Sequence, residues 1–108
     1  MNVEQFSSRI IDLAAEKDFI QDFSIDMKEG VVVDSRIKLE DGFVDVFRNF
    51  DTGRVAFAYI VDEERVFGAD NTGGWHTHPI ENPGDHVESD EISLEQFFRM
   101  LENKFDLV

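Results

Sequence analysis

From Gly30 to Asp70 the apolar residues recur at every second position, and the stretches that interrupt them are only three residues long. A period of two puts alternate side chains on opposite faces of an extended chain. In VVVDSRIKL (31–39), Val31, Val33, Ile37 and Leu39 share one face, while Asp34, Arg36 and Lys38 share the other. The turn signal EDG (40–42) leads into FVDVFRNF (43–50), then DTG into RVAFAYIV (54–61), then DEE into RVFGAD (65–70). Turns this short oblige the strands to be antiparallel neighbours, because a parallel pair needs a crossover of about a dozen residues. The second and third of these strands carry large apolar groups on both faces, with Phe43, Phe47, Phe57 and Tyr59 set against Val44, Val46 and Ile60. One face is expected to take helices and the other to meet a partner protein or a second copy.

The flanks read as helices. Phe6, Ile10, Leu13 and Ala14, with Ile11 beside them, predict an amphipathic helix over 3–20, opened by a capping box of Asn2 and Gln5. The segment 21–30 fits a short strand or a loop ending at Gly30. At the other end Ser93 and Gln96 form a second capping box, Ile92 is placed to staple to Phe97, and Leu94, Phe97, Phe98, Leu101 and Phe105 supply a buried face. The expected fold is α+β: an N-terminal helix, an antiparallel meander of four to five strands, a histidine-rich loop and a C-terminal helix. With no repeat, low-complexity tract or linker, residues 1–108 are expected to form a single domain.

Composition narrows the class of partner. Hydrophobic residues make up 42% of the chain and eleven phenylalanines are present, which supports a packed core over disorder. Cysteine is absent, so disulfides and thiolate metal sites are excluded. A net charge of −14 opposes non-specific binding to phosphate backbones and anionic lipids at ordinary salt. Only four of the ten basic residues are lysine, and an acidic, lysine-poor surface suits a halophilic host. At about 1 M salt the Debye length falls to ~3 Å, so repulsion of a nucleic acid would be screened. No basic region followed by an apolar run opens the chain, and no segment reaches membrane-spanning length, so the expectation is a cytoplasmic protein with no membrane association.

Every histidine lies in GADNTGGWHTHPIENPGDHVESD (68–90). His76 and His78, two apart on an extended backbone, point to the same side and suit one Zn²⁺ ion. A third ligand is available from His86, Asp85, Asp70 or Glu88. The same imidazoles are also the minimum set for general acid–base catalysis, including RNA cleavage through the 2′-hydroxyl. The plain alternative is a solvated surface loop over 69–91. In that reading Trp75 is a lid on the sheet edge, and Gly73 and Gly74 supply left-handed turns.

Two resemblances bear on this loop. His76-Thr77-His78-Pro79 resembles the zinc-binding core of the JAMM metalloproteases, in which a ligating Asp follows the second His by about eleven residues. Ser89 stands at that position, Asp90 is one residue out, His86 stands where the family has Ser, and Glu29 and Glu40 are the upstream acids available. A longer resemblance, over 31–105, is to the TumE family, the toxin component of a class of prokaryotic toxin–antitoxin pairs, and its archaeal relatives. It rests on Asp41-Gly42, Phe57 with Tyr59, Arg65 through Asp70-Asn71, the clustered His76, His78 and His86, and ISLEQFFRML before the end. The family's adjacent His-His pair is split here into His76, His78 and His86, and the N-terminal helix is an addition. This resemblance implies a growth-inhibiting protein neutralised by a cognate helix-turn-helix antitoxin.

The leading expectation is therefore a TumE-like toxin and, if it is an enzyme, one that cleaves RNA or nucleotide phosphodiesters. His76 and His78 are expected to act as acid and base or as metal ligands, with His86 as third member. Asp70 would orient an imidazole, Arg65 or Arg54 would bind phosphate charge, and Asn71 would fix a turn. The rivals are a non-enzymatic interaction module or homodimer built on an apolar sheet face, and a JAMM-like zinc hydrolase.

Overall fold

Short turns make neighbours in sequence into neighbours in space, and one sheet follows that rule across its whole width. The computed structural model describes residues 1–79 and 86–107. Its elements are α1 (Val3–Glu16), β1 (Asp22–Lys28), β2 (Val32–Lys38), β3 (Gly42–Asn49), β4 (Val55–Val61), β5 (Glu64–Asp70), β6 (His76–His78), β7 (Val87–Glu88) and α2 (Leu94–Phe105). The strands run β1 to β7 in chain order, and each pairs antiparallel with the one before it. The α+β architecture is as expected, with seven strands among the described residues in place of four or five.

The differences have local causes. Segment 21–30 is a strand, exposed at every position but Ile25, so its apolar alternation carries little burial. The loop expected over 69–91 contains β6 and β7, which are three and two residues long and too short to show a period. Helix α1 ends at Glu16 rather than at residue 20, because Lys17 turns to extended backbone. Lys17 then reaches Glu102 at 2.9 Å, and Phe19 stacks on Phe98 of α2. Both capping boxes form, through Asn2 with Gln5 and Ser93 with Gln96. Between β4 and β5 the two-residue turn Asp62–Glu63 has both residues at positive φ, the geometry that matches strand twist in tight hairpins.

Register decides the faces. Val44 lies opposite Tyr59 and Val46 opposite Phe57, so these four share the buried face, together with Phe67 and Ala69. Phe43, Phe47 and Ile60 lie on the other face, which corrects the grouping of Phe57 and Tyr59 with Phe43 and Phe47. Both helices pack on the first face: Phe97 of α2 contacts Phe57 and Phe67 at 5.3 and 5.5 Å between ring centroids, and Phe105 meets Tyr59 edge-on at 4.9 Å. Full burial of a ring such as Phe97 contributes about 2–3 kcal/mol of transfer free energy. On the open face, Arg36 lies 3.9 Å over Phe43 while pairing with Asp45, and Arg54 lies 5.5 Å over Phe47. Among the described residues no helix is long and apolar enough to cross a membrane.

Candidate functional site

The open face continues from these arginine-covered rings to the histidines. Asp70 faces His76 across the β5–β6 ladder, and Gly68 faces His78. Residues directly opposite in an antiparallel pair share a face. Asp70, His76 and His78 therefore stand together on the side away from both helices. The alternation of three residues, His76-Thr77-His78, is what aims both rings the same way.

One carboxylate holds both rings. Asp70 Oδ1 lies 3.2 Å from His76 Nε2, and Oδ2 lies 2.9 Å from His78 Nε2. The Thr72 amide also donates to Asp70 at 3.0 Å. Burial pushes the Asp70 carboxyl up. The His78 hydrogen bond, the Thr72 amide and the charges of His76 and His78 outweigh that effect and hold it below its ordinary value. On its far side His76 Nδ1 meets the Gly74 carbonyl at 3.0 Å, a contact in which the ring nitrogen donates. Gly73 and Gly74, both at positive φ as expected, turn the chain so that this carbonyl is presented.

His78 is held differently. Its Nδ1 lies 3.4 Å from Arg65 Nη2. A guanidinium only donates, so Nδ1 must accept, and Nε2 then carries the proton given to Asp70. Arg65 reaches this place because of a bulge. Tyr59 pairs with Phe67 but Ile60 pairs with Arg65, leaving Val66 extra. With Val66 regularly paired Arg65 would share the helix-facing side with Phe67 and Ala69, whereas the bulge turns it to the open face. Bulges commonly re-aim a side chain beside a functional site. Gly68 completes the fit, since a Cβ there would stand 3.2 Å from Arg65 Cδ and 3.6 Å from His78 Cδ2.

His86 closes the cluster from the segment before β7. Its ring centroid lies 4.5 Å from that of His76 and 4.6 Å from that of His78, and those two are 4.9 Å apart. One ligand nitrogen from each of the three rings falls within 4.8 Å of the others. His76 and His78 are buried, at 9% and 3% exposure, and His86 is exposed, so the cluster has a wet side. A cavity of about 520 Å³ lined by Gly74, Trp75, His76, His86 and Glu88 adjoins it.

The other expected residues are placed as follows. Glu88 lies opposite His76 in the β6–β7 ladder but is not one of the clustered donors. Asp85 lies outside the described residues. Ser89 and Asp90 bond to each other, Ser89 Oγ donating to the Asp90 carbonyl, and neither belongs to the cluster. Glu29 sits in the β1–β2 turn and Glu40 in the β2–β3 turn, both exposed. Among the described residues the third donor of the cluster is thus an imidazole and not one of these acids. Asn71 joins two turns, donating to Gly53 O at 2.8 Å and accepting from Val55 N at 2.8 Å. Trp75 is half-buried and tilts against Phe57 at 6.4 Å. Sequence reasoning missed Gly68, the Val66 bulge and the Gly74 carbonyl. A glycine inside the RVFGAD strand was the available signal, because such glycines mark bulges or close approaches. The chain matches no known protein family, no curated protein and no solved structure.

Proposed function

We propose that the protein is a small hydrolytic enzyme acting on phosphodiesters, with a zinc-class ion held by His76, His78 and His86 beside Asp70, in the toxin role its sequence resembles. The observation that carries this reading is the convergence of all three imidazoles on one another, two of them held by one carboxylate. Three rings this close repel one another when protonated, and a divalent cation among them turns the crowding into attraction. Tetrahedral zinc with bonds of ~2.0–2.1 Å wants donor atoms ~3.4 Å apart. One nitrogen from each ring lies within 4.8 Å of the others, so the three would draw closer around an ion, and His78 would exchange its hydrogen bond to Asp70 for it. His86, being exposed, has room to close the remaining distance. The Gly74 carbonyl on His76 Nδ1 is the outer contact that orients a ligating imidazole. When bound, the ion supplies Lewis acidity and activation of water.

The chain's own groups do the rest. Asp70 fixes the two ring planes, and Arg65 places a guanidinium on the same face, where it can pair with phosphate oxygens. In the toxin role the substrate is RNA, the partner is a helix-turn-helix antitoxin, and the site of action is the cytoplasm. A metal-free acid–base variant is favoured by one observation, the Arg65 contact, which occupies Nδ1 of His78 while Asp70 orients the ring through Nε2.

Metal analysis after chelator-free purification, followed by zinc titration calorimetry, tests the first form. The expected result is one ion per chain, lost in His76→Ala and His78→Ala. Induced expression in a cell lacking any antitoxin tests the role: growth arrest is expected, and the triple alanine variant should be harmless. Arrest that needs the histidines without stoichiometric metal supports the acid–base form. Arrest that persists in the triple variant rules out both.

A further inference from the structure

We propose that β1 is a dimerisation edge, at which a second copy of this chain pairs antiparallel about Ile25 and continues the sheet. The strand is seven residues long, exposed at six of its positions, and has β2 on one side only. Such an edge offers a row of unpaired main-chain donors and acceptors. The opposite edge of the sheet, β7, is only two residues long. Short edges are protected against added strands, and β1 has neither shortness, proline nor a bulge to protect it.

Exposed apolar side chains gather at the same place. Phe23 is 37% exposed and Met27 55%, and Ile11 of α1 is 49% exposed. Ile11, Ala14, Ile20 and Phe23 line one shallow groove of about 270 Å³ between the helix and the start of β1. Phe23, Ile25 and Met27 pair with Ile37, Ser35 and Val33 of β2, so all three lie on the helix-facing side.

The sequence of the strand is complementary to itself in one register. Pairing about Ile25 sets Asp22 against Lys28 of the second copy, Phe23 against its Met27, and Ile25 against its Ile25. Ser24 then faces Asp26, and every other position sets opposite charges or apolar side chains against each other, which stabilises an antiparallel pair. A register centred on Ser24 sets Asp22 against Asp26, and one centred on Asp26 sets that carboxylate against itself. Both neighbours put like charges directly opposite, so the Ile25 register, which also uses the whole strand, is favoured over them. The two-fold axis stands perpendicular to the sheet, which keeps the helices of both copies on one side and leaves both histidine clusters on the other. A contact of this kind is isologous and closed, hence a dimer rather than a filament. It stands apart from the function of the histidines.

Sedimentation velocity on the intact chain at about 0.5 M salt, where long-range repulsion between acidic copies is screened, tests the proposal. The wild type should sediment as a dimer. Phe23→Glu and Met27→Lys should each weaken association about tenfold or more, by placing a charge against an apolar residue of the other copy. The double variant Phe23→Glu/Met27→Lys should regain most of the affinity, since each new Glu faces a new Lys. Far-UV circular dichroism and a cooperative melt establish that each variant is folded, and Met27 is exposed enough to be replaced without disturbing the core. A wild type that stays monomeric at about 100 µM overturns the proposal, since ~−5 to −6 kcal/mol of association would already be visible there. A dimer unaffected by Met27→Lys overturns it too, as does a double variant no tighter than the singles.

Discussion

Replacing Asp70 by Asn changes almost no volume and removes the charge that two imidazoles share. An Asn side chain offers one acceptor oxygen in place of two, and its amide donates toward whichever ring it faces. The hydrogen bond to His78 at 2.9 Å is weakened and the ion-pair contact with His76 at 3.2 Å is lost. A hydrogen bond to a charged group contributes about 1.5–3 kcal/mol, so the expected loss of stability is ~2–3 kcal/mol. The Asp70 side chain is only 18% exposed, so solvent screening does not erase the effect. In a domain of this size ~2–3 kcal/mol corresponds to roughly 8–15 °C in melting temperature. Thermal and urea unfolding should be measured in chelator, which removes any contribution of bound metal. A double-mutant cycle with His78→Ala should give a coupling of about 1 kcal/mol or more, as expected for groups in direct contact. An Asp70→Asn protein within about 0.5 kcal/mol of wild type, the range of an ordinary surface substitution, would refute the claim that this carboxylate holds the site.

Two further perturbations test the packing around the sheet. Ser7 Oγ is buried in α1 with no hydrogen-bond partner among the described residues, so Ser7→Ala should raise stability by about 1 kcal/mol in urea denaturation, and a loss of that size would mean the hydroxyl is bonded after all. Tyr59 is the only tyrosine, and burial first, then the charge of Asp41, pushes its phenol above the ordinary value. A folded pKa raised above the unfolded one contributes stability that is complete below the unfolded value of about 10 and is lost as pH rises through the folded value. Ultraviolet titration of phenolate should show ionisation displaced to higher pH than in the urea-unfolded chain, and Tyr59→Phe should remove that alkaline loss of stability; coincident titrations would contradict the burial.

The parts of the fold that were legible in the sequence are those decided within a few residues. Strands β2 to β5 follow from alternation bounded by EDG, DTG and DEE, and both helix starts follow from capping boxes whose partners are three residues apart. What failed depends on register. Phe57 and Tyr59 look like members of a set with Phe43 and Phe47, yet the turn between Arg48 and Val55 aligns them with Val46 and Val44. Side-chain size cannot reveal that offset. Segment 21–30 stayed open because Phe23, Ile25 and Met27 alternate properly but bury little. At the site, the density of histidines in residues 76–86 was plain, and so was Asp70 as an orienting acid. The approach of Arg65 to His78 was not, since alternation alone assigns Arg65 to the opposite face and one unpaired residue, Val66, reverses it.

Strand order has a consequence for how the molecule opens. Every group in the cluster comes from the last corner of the sheet, where β6 is held along three residues and β7 along two. Proteins unfold locally in contiguous units, beginning where few backbone bonds must break. Amides of β6 and β7 should therefore exchange with solvent long before those of β3 and β4, which lie between long neighbours on both sides. The histidines are brought together by the least secured piece of the fold. A ligand that ties His86 to His76 and His78 acts as a clasp on that corner, slowing its exchange while leaving the centre of the sheet as it was.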